Sequence, residues 1–90
     1  MFLHIGKNLA IPVNKIIAIV DKETSLYSYD TKMFIDIMKK KGNIYNPDQI
    51  DEKEIKTYII TDNNIYTSNI SSSTLFKRNN KMKKSANHFI

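Results

Sequence analysis

Ninety residues make one domain, and 41% apolar with 10% aromatic content supplies a core, so global disorder is not expected. The chain has no cysteine, which excludes disulfides and thiolate chemistry. The net charge of +5 is lopsided: Lys77, Arg78, Lys81, Lys83 and Lys84 are five of the fourteen basic residues, and the nine before them balance all nine acids. Phe2-Leu3-His4-Ile5 reads as a first strand ending at Gly6, and Lys7-Asn8 as a turn. Leu9-Ala10-Ile11 resumes extended structure until Pro12, which cannot donate to a ladder. Lys15 to Asp21, KIIAIVD, is rich in β-branched residues and reads as a buried strand. Asp21 to Ser28 is a polar connection.

Asp30 is placed to cap a helix. Met33, Phe34, Ile37 and Met38 recur at helical spacing and predict its apolar core face. Ile35 lies off that face and is a candidate for an intersubunit contact. Lys39, Lys40 and Lys41 suit the negative end of the helix dipole, and Gly42 supplies a left-handed stop. Asn43 to Asn46 is a short strand, and residues 47–54 form a loop with four of the nine acids. Lys56 to Thr61 and Ile65 to Thr67 form a hairpin about Asp62-Asn63-Asn64. Ser71, Ser72 or Ser73 caps a second helix over about 72–78, carrying Leu75 and Phe76. The fold class expected is α+β: a small, mostly antiparallel sheet with one main helix over about 30–41 and this short C-terminal helix. Residues 1–78 form the single domain, and residues 79–90 a basic, flexible tail.

No residue pattern carries a reaction. His4 and His88 have no second ligand at metal-binding spacing, so no metal site is expected. No phosphate-cradling glycine loop is present, and no nucleophile elbow supports a catalytic triad. Neither a cofactor nor catalytic residues are expected, and the protein reads as a non-enzyme. Asp48, Asp51, Glu52 and Glu54 read as a solvated acidic loop. The strand tyrosines Tyr45, Tyr58 and Tyr66 read as sheet packing. The apolar runs are too short to span a membrane. MFLHIGKN has no basic segment before an apolar one, so no signal peptide and a cytoplasmic location are expected. Lysines at turns and strand ends, together with the basic tail, suit phosphate contacts of the salt-dependent, non-specific kind. Few such contacts exist on one copy, and a ring would multiply them.

The stretches FLHIGKN, KIIAIVD, KKKGNI and above all IITDNNIYTSNISSSTLFKR resemble the RemA/RemB-type regulators of extracellular matrix (biofilm) genes, over nearly all of residues 1–78. LHIG and SSSTLFKR look closer to the RemB branch. The resemblance implies a cytoplasmic, LytTR-like α+β domain that assembles into rings and binds double-stranded DNA without enzymatic activity. It also implies phosphate contacts by Lys15, after the first β-segments, and by Lys53 and Lys56, in the loop before the penultimate strand. Lys77 and Arg78 form a second candidate set. Where the RemA branch has a run of arginines, this chain has Glu52-Lys53-Glu54-Ile55-Lys56, with acids between the lysines. A structural oligomer acting through protein contacts, without DNA binding, is the alternative reading.

Overall fold

The computed structural model describes residues 1–87 and bears out a small α+β domain. Its strands are β1 (Phe2–His4), β2 (Ala10–Pro12), β3 (Ile16–Asp21), β4 (Ile44–Tyr45), β5 (Thr57–Thr61) and β6 (Ile65–Ser68). The helices are α1 (Lys22–Ser25), α2 (Tyr29–Lys40) and α3 (Ser72–Asn87), with 3-10 turns at Val13–Lys15 and Glu52–Glu54. β1 and β2 form an antiparallel hairpin. The main sheet has the order β3-β5-β6-β4, antiparallel except for the β4–β6 pair.

Strand alternation sorts the side chains of the main sheet onto two faces. Val20, Tyr58, Ile60 and Ile65 lie on one face and pack with Ile35 and Met38 of α2. Ile19, Ile59 and Tyr66 lie on the other, against Leu3, Ile5 and Ile11 of the β1–β2 segment and Leu75 of α3. The molecule therefore has three layers: α2, the four-stranded sheet, and the hairpin with α3. Ile59 is completely buried at the centre of the second interface. Truncating such a residue to alanine costs about 2–5 kcal/mol.

A buried polar knot joins the hairpin layer to the sheet. Ser68 Oγ donates to Ile5 O at 2.6 Å and accepts from Ile70 N–H at 3.0 Å, while Thr57 Oγ1 donates to Ile70 O at 2.7 Å. Thr57 and Ser68 are cross-strand partners and both fully buried, so their hydroxyls need these protein partners in place of water.

Four local expectations are corrected. Residues 22–25 are helical, because the Asp21 carboxylate accepts from Thr24 N–H and Thr24 Oγ1, each at 2.9 Å. The cap of α2 is Ser28, whose Oγ accepts from Thr31 N–H, and Asp30 sits in the first turn. The two faces of α2 are exchanged: Ile35 is buried, whereas Met33, Phe34 and Ile37 are exposed. Only Met38 of the expected core face packs on the sheet. Finally, α3 starts at Ser72 as expected, capped by Ser71, but runs on to Asn87, past the expected end at 78. Asn79, the first residue of the expected tail, is buried. His88 lies outside the described residues.

Candidate nucleic-acid interface

The acidic loop is not simply solvated, and its bonding decides which lysines are free. Glu52 Oε1 lies 3.5 Å from Lys22 Nζ and 3.4 Å from Lys39 Nζ. Lys22 Nζ also donates to the Glu52 carbonyl. Partial burial pushes the Glu52 carboxyl up, but the charges of Lys39 and Lys22 outweigh it and hold its pKa below the ordinary value. Asp48 is used as well, accepting from Lys7 N–H at 2.8 Å, Asn8 N–H at 3.1 Å and Asn8 Nδ2 at 3.0 Å. Two of the loop's four acids thus have fixed partners.

Lys53 and Lys56 are exposed, and neither forms an ion pair among the described residues. The 3-10 turn Glu52–Glu54 and the start of β5 bring both to one open groove of about 420 Å³, with Asp21, Lys22, Ile55 and Ser71. The start of α3 borders this groove. Ser72 Oγ donates to Asp21 at 3.2 Å, which ties the helix to the end of β3. The Asp21 pKa is held below its ordinary value, chiefly by the Thr24 backbone N–H and then by the Thr24 hydroxyl, with a smaller part from Ser72. Lys22 is the basic residue of this groove that sequence reasoning missed. Its charge is committed to Glu52, and nothing in its spacing signals that.

Lys15 is not part of the same groove. It lines a separate recess of about 240 Å³ with Pro12, Asp62, Asn63 and Asn64. The β3–β5 ladder pairs Asp21 with Thr57 at one end and Ile16 with Thr61 at the other. Lys56 lies one residue beyond the first end and Lys15 one residue beyond the other, so about six strand steps, roughly 20 Å, separate them. Lys77 and Arg78 lie on α3. Lys77 is exposed on the side away from the buried Leu75 and Asn79. The Arg78 Nη1 donates to His4 O at 3.3 Å, so that guanidinium also helps to hold β1. The tyrosines serve packing as expected: Tyr58 is buried, and Tyr45 and Tyr66 stack with ring centroids 5.6 Å apart.

The five expected contacts therefore form a pair in one groove, a lysine at the far end of the ladder, and two residues on α3, of which Arg78 is partly engaged. Among the described residues no group of His, Cys, Asp and Glu is arranged to hold a metal. No described helix is long and apolar enough to cross a membrane. The family model of the extracellular matrix regulatory protein A-like (RemA-like) proteins matches residues 2–78. The chain belongs to the RemA-like family. The match covers all six strands, α1, α2 and the first two turns of α3. It therefore includes Lys15, Lys53, Lys56, Lys77 and Arg78. No curated protein matches the chain. This RemA-like protein departs from the expected arginine-rich loop in having Glu52 and Glu54 there, and Glu52 faces Lys22 and Lys39.

Proposed function

We propose that this protein is a non-enzymatic, cytoplasmic regulator of extracellular matrix genes that assembles into a ring and binds double-stranded DNA. The observation that carries the reading is the groove at the start of α3. There Lys53 and Lys56 stand exposed and unpaired among the described residues, while Glu52, the acid just before Lys53, is engaged by Lys22 and Lys39. Membership of the RemA-like family supports the regulatory role. The segments LHIG and SSSTLFKR favour the RemB branch within it. Lys53 and Lys56 contact phosphate, Lys15 and Lys77 extend the contact, and Arg78 contributes less because it also binds the His4 carbonyl. A ring repeats these few contacts along one duplex and turns weak binding into avidity.

The test is binding of the purified protein to labelled duplex DNA across a salt series. Affinity is expected to fall steeply with salt, because each phosphate contact releases counterions. Replacing Lys53 and Lys56 together with glutamine should weaken binding and flatten the salt dependence. No binding at low salt by an intact oligomer would sink the DNA reading. It would favour the second reading, an oligomer acting through protein contacts, which the exposed apolar side chains of α2 support.

A further inference from the structure

α2 has two apolar faces and the chain uses one. Ile35 and Met38 pack on the sheet. The outer face carries Tyr29, Met33 and Ile37 at four-residue intervals, with Phe34 beside them, exposed by 73%, 46%, 46% and 41%. With Tyr27 at its start, this stripe leaves roughly 600 Å² of largely apolar surface uncovered, taking about 200 Å² for a whole aromatic side chain. That is at the upper end for a monomer, and it approaches the ~800 Å² that one partner contributes to a standard interface.

A second bare patch lies away from α2, at the sheet edge. β3 pairs only with β5 among the described residues, so one edge of its apolar IIAIVD backbone carries no strand. Ile17, at the irregularity in that pairing, is 64% exposed. α3 packs along β3 on the hairpin side, with Leu75 turned inward and Arg78 reaching β1. Phe76 stands about 200° around the helix from Arg78. It therefore lies on the flank of α3 away from β1, and is 44% exposed.

We infer that the outer stripe of α2 from one copy seats on the β3 edge of the next copy, over Ile17 and Phe76. The inference rests on the self-assembly reading above and names the surfaces that perform it. Covering an apolar edge strand with a helix is a common way in which proteins prevent indiscriminate strand pairing. A second copy is the occupant because one chain carries both halves, the uncovered area suits a protein interface, and residues 1–76 carry no net charge to hold copies apart. The two patches differ, so the contact is heterologous. Repeated from copy to copy, it closes into a ring when the rotation allows.

The experiment uses the full chain and two variants, Ile37→Lys and Phe76→Asp, with molar mass measured by light scattering. Each variant should lose assembly alone. Mixed, they should form 1:1 heterodimers, because the pair retains one intact junction. Loss of assembly in Ile37→Lys with normal assembly in Phe76→Asp means that α2 packs on itself, and it overturns the head-to-tail contact. Normal assembly of both variants overturns the surface assignment while self-assembly stands. A wild-type protein that is monomeric at 100-micromolar order removes the self-assembly reading and the inference together. Circular dichroism and thermal melts verify folding, and Met33→Lys replaces Ile37→Lys should the latter melt early.

Discussion

Asp48 shows how one side chain can join distant parts of this chain. It accepts from the backbone N–H groups of Lys7 and Asn8 and so clamps the β1–β2 turn to the loop after β4. A Cβ on Gly6 would collide with the Asp48 carboxylate. Gly6→Ala is therefore expected to displace Asp48 and destabilise the fold by about 1–3 kcal/mol, the range for leaving such groups unpaired. In an Asp48→Ala background the same change should cost much less. Urea unfolding of the four proteins measures the coupling, and strict additivity would contradict this account. Tyr58 makes a second prediction at this scale. Burial, then the negative charges of Glu52 and Asp36, push its pKa from 10.0 up to about 12. The unfolded chain then loses this proton first as pH rises. Tyr58 accordingly contributes no pH dependence below about 10, and stability should decline from there to about 12. Tyrosinate absorbance against pH, compared with Tyr58→Phe, isolates the contribution.

At the scale of elements, Asp21 ends β3, caps α1 and receives the Ser72 hydroxyl at the start of α3. Asp21→Ala should cost about 1 kcal/mol for the cap alone, and more if the start of α3 loosens. The lowered Asp21 pKa means that its carboxylate stabilises the fold above the ordinary value of 3.8 and loses that contribution as pH falls from there through its lower folded-state value. Acid unfolding of wild type and Asp21→Ala should accordingly converge at low pH. α2 carries the clearest lesson about legibility. Its existence, its stop at Gly42 and its approximate ends were readable from apolar spacing, basic residues and the glycine, whose φ is +74°. Its orientation was not. Periodicity finds the more apolar stripe, Met33-Phe34-Ile37, but does not say whether a sheet or another subunit lies against it. The sheet took Ile35 and Met38 instead.

At the scale of the molecule, charge and apolar surface are separated. Lys53 and Lys56 share one groove, Lys15 lies at the opposite end of the ladder, and the apolar stripe of α2 belongs to a different layer. In the proposed ring the first set meets DNA while the stripe meets the next subunit. Glu52→Gln offers a separate prediction. It releases Lys22 and Lys39 from their shared carboxylate, raises the positive charge around the groove and should tighten DNA binding at low salt. Anisotropy titrations measure it, and unchanged affinity would argue that the groove is not the contact surface.

Local chemistry determined much of this protein by itself. The β-branched runs formed strands, the Asp-Asn-Asn segment turned a hairpin, Ser71 started α3 and Gly42 stopped α2, because each depends on residues close in the chain. The family resemblance was likewise carried by contiguous stretches. Only the tertiary structure decided that Glu52 would engage Lys22 and Lys39, that Asp48 would hold a turn forty residues away, and which face of α2 would be buried. Those outcomes depend on which segments the three layers bring together, and distance in space is not written in the spacing along the chain.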